Sequence, residues 1–341
     1  MVEGEFVRHY AWVLLLLSCS GGCGGSSGGP APGGQVAERP APQKTLRIAV
    51  LPKATSLQYW KSVHAGAEAA ARELGRVEII WKGPAQENNS AGQIEVVKNM
   101  ITQRVDGICL APNHSEALVD VVQEANEEGI PVVILDSGVG KGAEYVSYVA
   151  TDNREGGRVA ARRLAKVLAG QGDVILMRYR AGSQSTEERE EGFLEEIAKY
   201  PRLKVLSSDQ YGEATAKSAM EKANQLLLRF QDEVDGVFAV CEPNCHGLLQ
   251  ALEQTGLAGK VKFVAFDPSD MLIRALESGK VHGIVLQDPV HMGYMAVKTI
   301  VAHIQGQNVE RRIATGLYVA TPENMHTDKI HKLLHPELFG E

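Results

Sequence analysis

Acids and amides recur where short apolar runs end. Asp136 and Ser137 close PVVILDS, Asp267 closes VKFVAFD and Gln287 closes HGIVLQ. Lys53 follows LRIAVLP, Asn113 follows ICLAP, Arg178 and Arg180 follow DVILM, and Glu242 and Asn244 follow VFAVC. A carboxylate or carboxamide beside a cation can grip two neighbouring hydroxyls at once. Burying a hydroxyl without a partner costs on the order of 1–3 kcal/mol, so a pocket for a hydroxyl-rich ligand must be densely polar. The C–H faces of such a ligand need something flat to lie on. Tyr59 and Trp60, adjacent in LPKATSLQYWK, offer that platform, with Lys53 as a donor at its edge. Trp60 also falls on the apolar stripe of a helix, so packing competes for it.

These residues need elements to hold them. From Thr45 onward, runs with strand character alternate with helical periods: LRIAVL, VEIIW, DGICLA, PVVILD, DVILMR, LKVLSS, DGVFAV, VKFVAF and HGIVLQ. Most are continuously apolar, as in sheets covered on both faces. Between them, Trp60, Val63, Ala67, Ala71 and Leu74 share one helical face, with Gly75 as the stop. Such alternation predicts an α/β fold of parallel, right-handed βαβ units. Nine strands are many for one open sheet, so two similar doubly wound halves are predicted, with YVSYVATDN as a crossover. One lobe is expected at 45–150 plus about 288–316, the other at 152–286 plus about 317–335. In open sheets of this kind ligands bind outside the carboxyl ends of the strands, where the polar residues above stand.

The chain has 341 residues, 44% apolar and 23% charged, with net charge −7 and both signs interspersed. That length suits two domains, and that charge argues against nucleic acid as the main partner. The N-terminus differs. The apolar run Ala11 to Leu17 is too short to span a bilayer and suits a signal peptide, residues 1–18. Leu16-Leu17-Ser18-Cys19 resembles the lipobox of bacterial lipoproteins, which makes Cys19 the expected lipidated residue, with Cys23 as a second candidate. A Gly/Ser/Pro-rich tether, residues 19–43, follows. The protein is therefore expected to be exported and held at the membrane by a lipid anchor. Cys109 reads as a buried small hydrophobe; Cys241 and Cys245 are either a local bridge or free thiols. No metal-ligand spacing is present, and neither metal nor cofactor is expected.

Enzyme motifs are weak. Gly138, Gly140 and Ala143 match G-x-G-x-x-A after a strand, but EYVSYVATD follows where a dinucleotide fingerprint needs a helix. The segment reads as a glycine-rich turn. No G-x-S-x-G, P-loop or H-E-x-x-H occurs.

The body of the chain, from about Lys44 to Thr321, resembles periplasmic sugar-binding proteins of ABC transporters, the ribose-binding-like type I group. The likeness rests on IAVLPKATSLQYWKSVHAGAEAAARELG, VDGICLAPNHSEALVDVVQEANEEGIPVVILDS, YVATDNREGGRVAARRLA, EEREEGFLEEI, KFVAFD and GIVLQDPVHMGYMAVKTI. It implies two doubly wound Rossmann-like lobes joined by a three-segment hinge, closing like a jaw on a ligand. It also implies binding rather than catalysis, a monomer, and an ABC permease as partner. By this resemblance the aromatic pair corresponds to Tyr59 and Trp60, the two acids to Asp136 and Asp267, and the glutamine to Gln287, while Arg189 is kept. Other positions depart from the ribose-binding pattern. Ser137 stands where an arginine is expected, Cys241 beside Glu242 where an asparagine is expected, and Glu187 where a further arginine is expected, while Lys53 is new. These departures point away from ribose itself, toward another sugar, a polyol or a ligand that is not sugar-like. A sensor role, with the closed form read by a kinase or chemoreceptor, is the alternative; a sugar-processing enzyme ranks below it. A lactose-repressor-type regulator shares the fold, but its DNA-binding head has no counterpart here.

Overall fold

The computed structural model describes residues 44–336. The expected signal peptide, Cys19 and the tether lie outside the described residues. Among the described residues no helix is long and apolar enough to cross a membrane.

Two six-stranded sheets carry the fold. The first is built from β1 (Leu46–Leu51), β2 (Val77–Trp81), β3 (Gly107–Leu110), β4 (Val132–Leu135) and β5 (Ser147–Ala150). The second is built from β6 (Gln171–Arg178), β7 (Arg202–Tyr211), β8 (Gly236–Ala239), β9 (Lys262–Phe266) and β10 (Gly283–Gln287). Two short late strands, β11 (Arg312–Ala314) and β12 (Leu317–Ala320), add one to each. The orders are β11-β5-β4-β3-β1-β2 and β12-β10-β9-β8-β6-β7. The second repeats the first with every strand moved on by one half, so the two lobes are topological copies. All pairs are parallel except β10 with β12.

The local causes are readable. β3, β4, β8 and β10 are buried at every position, as expected for continuously apolar strands between two helical layers. β2 and β7 keep exposed residues and stand at the sheet edges. The connecting helices are α1 (Gln58–Leu74), α2 (Ser90–Thr102), α3 (Val119–Glu127), α4 (Asn153–Val167), α5 (Gln184–Ile197), α6 (Ala216–Phe230), α7 (Glu242–Gln254), α8 (Asp270–Glu277), α9 (Pro289–Ile304) and α10 (Asp328–Leu334). Several start on a side-chain cap: Asn89, Asp152, Thr215, Ser269 and Asp288 each accept a backbone N–H from the first turn. Gly75 ends α1 at φ 62°, donating its N–H to the Ala71 carbonyl. Between Gly138 and Val146 there is no helix, so the glycine-rich segment is a turn leading into β5.

The chain crosses between the sheets three times, after β5, after β10, and between β11 and β12. The crossings exchange helices. α4 follows a strand of the first sheet but packs on α5, β9 and β10; α9 follows a strand of the second but packs on α1, β3 and β4. Both contacts are very close. A Cβ on Gly66 of α1 would lie 1.9 Å from the Val290 carbonyl oxygen, and one on Gly293 of α9 would lie 2.0 Å from that of Val63. Gly157 of α4 and Gly192 of α5 form the matching crossing, each 1.9 Å from a facing carbonyl oxygen by the same construction. Two of the crossing segments touch: the Thr315 N–H donates to the Ala150 carbonyl, and the Thr151 and Thr315 hydroxyls are 3.2 Å apart.

Candidate functional site

The carboxyl ends of the two sheets face each other across a small cavity. It is lined by Lys53, Tyr59, Trp60, Glu87, Asp136, Tyr179, Ser185, Thr186, Arg189, Cys241, Asp267 and Gln287. Side chains nearly fill it: the space open to the centre of a water molecule is about 30 Å³, far below the roughly 300–1,000 Å³ usual for small-molecule sites.

Both acids sit one residue past a strand. Asp136 follows β4 and Asp267 follows β9, the equivalent strand of the other sheet. Each has a left-handed backbone, φ 61° and 66°, and each donates its N–H to the next strand, to Val149 and Val285. Asp tolerates this conformation better than most side chains, and it turns the carboxyl off the strand axis toward the cleft.

A continuous polar relay joins them. Lys53 Nζ lies 3.3 Å from Asp136 Oδ2, and Asp136 Oδ1 accepts the Tyr59 hydroxyl at 2.7 Å. That hydroxyl is 3.3 Å from Gln287 Oε1, and Gln287 Nε2 donates to Asp267 Oδ1 at 2.8 Å. Asp267 Oδ2 is 3.7 Å from Arg189 Nη1. The chain of six side chains begins in the first lobe and ends in the second. All six are buried. Burial, with Asp136 and Glu87 nearby, pushes the Asp267 carboxyl up to about 6, against the lowering effect of Arg189 and Gln287. Burial, then Asp136 and Asp267, hold the Tyr59 phenol well above its usual range.

The cations are held differently. Arg189 comes from α5, donates to Asn153 Oδ1 and the Val240 carbonyl at 2.9 Å each, and stacks 3.9 Å over Phe266. Lys53 comes from the loop after β1 and reaches across the cleft to the hydroxyls of Ser185 at 2.9 Å and Ser183 at 3.2 Å. The aromatic pair meets edge to face, centroids 5.0 Å apart at 86°. Trp60 belongs to the apolar core of α1 and also lines the cavity, donating Nε1 to Glu87 Oε1 at 2.7 Å. Trp60 thus packs in the core and lines the cavity with the same ring.

Eight of the residues picked from the sequence meet at the cavity: Lys53, Tyr59, Trp60, Asp136, Arg189, Cys241, Asp267 and Gln287. Ser137 and Glu242 do not line it. The Ser137 hydroxyl accepts the Ser185 N–H at 3.2 Å, and Glu242 Oε2 accepts the Tyr59 N–H at 3.4 Å, so both bridge the lobes behind the wall. Burial pushes the Glu242 carboxyl up to about 7. Arg178 is committed to Glu190 at 2.8 Å, and Arg180 donates to the backbone carbonyls of Glu87 and Asn113. Glu187 accepts the Gly182 N–H instead of facing the cavity. Cys109, Cys241 and Cys245 are free thiols, which settles the alternative left open for the last two. The sequence did not single out Glu87, Tyr179, Ser185 or Thr186. Tyr179 had a signal: it follows β6 in the first strand-to-helix connection of its lobe, as Tyr59 follows β1 in the other. Glu87 had none, since KGPAQENN reads as any polar loop.

The chain matches the periplasmic binding protein domain family over residues 48–308. It is 29% identical over 284 residues to the ribose import binding protein of Haemophilus influenzae, covering 83% of this chain and 94% of that one. An ABC transporter solute binding protein from Agrobacterium vitis, solved with α-D-tagatopyranose, is 31% identical with a TM-score of 0.81, over 85% of this chain and 99% of that one. A carbohydrate transporter solute binding protein from Agrobacterium radiobacter, solved with D-arabinose, is 35% identical with a TM-score of 0.80, over 85% and 98%.

Proposed function

Since this chain belongs to the periplasmic binding protein domain family, we propose that it captures a sugar or related polyol by closure of its two lobes and delivers it to an ABC-type importer. It is a binding protein of the exported, periplasmic sugar-transport class and not an enzyme, as its relatives are. The observation that carries the reading is the relay from Lys53 through Asp136, Tyr59, Gln287 and Asp267 to Arg189. It offers carboxylates, an amide, an ammonium and a guanidinium within one buried cavity, and two aromatic rings form the adjoining wall.

The ligand stacks on Tyr59 or Trp60. Asp136, Asp267, Gln287 and Arg189 take its hydroxyls, with Lys53 as a further charged donor. Contacts from both lobes make the closed state the better binder, and only that difference in affinity can shift the open–closed balance. The three crossing segments are the hinge, and an importer reads the closed surface. Cys19 carries the lipid, and residues 19–43 let the protein range above the membrane.

A thermal-shift screen of pentoses, hexoses and polyols, followed by calorimetry on hits, tests the ligand class; a tight binder raises the melting temperature by mass action. Scattering curves with the hit should contract on binding. A flat response across the panel counts against a sugar ligand. Replacing Cys19 by Ser should release the protein from the membrane fraction of its host.

A further inference from the structure

The charges around the cavity do not balance. Asp136 has Lys53 and Asp267 has Arg189, but Glu87 also lines the cavity. Glu87 is 8% exposed, and among the described residues no Lys, Arg or His comes within ion-pair distance of its carboxylate. Among the described residues its oxygens accept from two neutral donors, the Trp60 indole N–H and the Tyr179 hydroxyl. Arg180 reaches the same segment, yet its Nη1 donates to backbone carbonyls. Behind the wall stands Glu242, 5% exposed, which accepts the Tyr59 N–H and likewise has no cation within that distance. The other titratable groups of the wall, Tyr59, Tyr179 and Cys241, are pushed up by burial and stay neutral.

Three carboxylates thus face the cavity against two cations, with a fourth acid just behind. Their mutual repulsion adds to burial in raising Asp267 and Glu242. A buried charge left without a counter-ion costs several kcal/mol. Among the described residues no three acids, cysteines or histidines gather closely enough to hold a metal ion. A carboxylate has about four acceptor positions, and Glu87 uses two of them on its indole and phenol partners. A neutral sugar leaves the excess charge in place; an ammonium group offsets it.

We propose that the ligand is a hydroxyl-rich molecule carrying one protonated amine, an amino sugar or amino polyol, with Glu87 as the counter-ion of its ammonium. This rests on the sugar-binding reading above and narrows it.

The test is calorimetry on matched pairs at pH 7: D-glucosamine, D-galactosamine, D-mannosamine and 1-amino-1-deoxy-D-sorbitol against D-glucose, D-galactose, D-mannose and D-sorbitol. At least one amine should bind about tenfold or more tighter than its neutral partner. In Glu87→Gln, checked for folding by its melting curve, that pair should come within about threefold. In the wild type, raising the pH until the sugar amine loses its proton should erase the same preference, a measurement that does not depend on the variant folding. If every neutral partner binds as well as its amine, or if Glu87→Gln keeps the preference, the inference is overturned and sugar binding stands. If no member of either panel, nor of the wider sugar screen, binds at all, sugar binding itself fails and takes the inference with it.

Discussion

The two walls of the cleft are built from equivalent strands but supply their cations in different ways. Each places an aspartate one residue past its third-position strand, with the same left-handed turn and the same backbone bond to the neighbouring strand. The second lobe then braces Arg189 from three sides, by Asn153, the Val240 carbonyl and the Phe266 ring. The first lobe offers Lys53 on a loop, and its hydroxyl partners, Ser183 and Ser185, belong to the opposite wall. The difference teaches that one cation is braced wholly within its own lobe, while the other pairs with Asp136 of its own lobe and also ties across the cleft. On the proposed closure, a ligand meets a fixed guanidinium on one side and, on the other, an ammonium whose bonds across the cleft form as the lobes come together.

Removing the cations tests this contrast most strongly. Arg189→Met should lower folding stability by about 3–5 kcal/mol, because a buried pair is broken and Asp267 and a carbonyl lose their donor. Lys53→Met also unpairs a buried acid, Asp136, but takes no donor from a backbone carbonyl and no cation from an aromatic face, so it should cost less stability than Arg189→Met while weakening ligand binding. Equal losses of stability in the two variants, read by denaturant titration, would break the comparison.

The acids should behave alike. Asp267→Ala and Asp136→Ala should each weaken ligand binding by about 2–4 kcal/mol if each holds two hydroxyls in a dry site. An unchanged dissociation constant for either would remove it from the site. The helix crossings should also match: Gly66→Ala and Gly157→Ala each drive a Cβ into a facing carbonyl and should cost about 1–3 kcal/mol of stability. A neutral effect at one and a loss at the other would show that only one lobe depends on close helix contact.

The smallest effect is in pH. Asp267 and Glu242 titrate in the folded protein near 6 and 7, above their unfolded values, so the folded state binds more protons than the unfolded one at mildly acid pH. Stability therefore falls as pH rises through that window and is recovered as pH drops. Calorimetric melting of the ligand-free protein should move up between pH 7.5 and 5.5. Buried Glu190, raised to about 7, adds to that rise, while His246 and His282, whose imidazoles burial lowers, oppose it. Asp267→Asn should blunt the rise relative to wild type, and an unchanged pH dependence in that variant would contradict the burial of Asp267.

Much of this contrast was legible before the fold was known. Nine runs, most of them continuously apolar, correspond to β1–β4 and β6–β10, and the residues ending them include both aspartates and Gln287. What the pattern could not say is which way a strand-end residue faces. Ser137 and Glu242 directly follow Asp136 and Cys241, and their facing is set by the left-handed turn at Asp136 and by the start of α7, not by a period read from the sequence. The strands β11 and β12, three and four residues long, carry too little apolar sequence to stand out. Glu87 became visible only when a polar loop after an edge strand was folded over the cavity, a tertiary fact with no local period.

The exchanged helices have a consequence for synthesis. The first sheet is nearly finished when Ala150 has left the ribosome, but the helix that covers its α1 face is not made until residues 289–304. Val63, Ala67 and Ala70 stay without their final partner for almost the whole of translation. An exported chain is thereby kept from completing its first half early, because α9 is made only after β1–β10 have been synthesised.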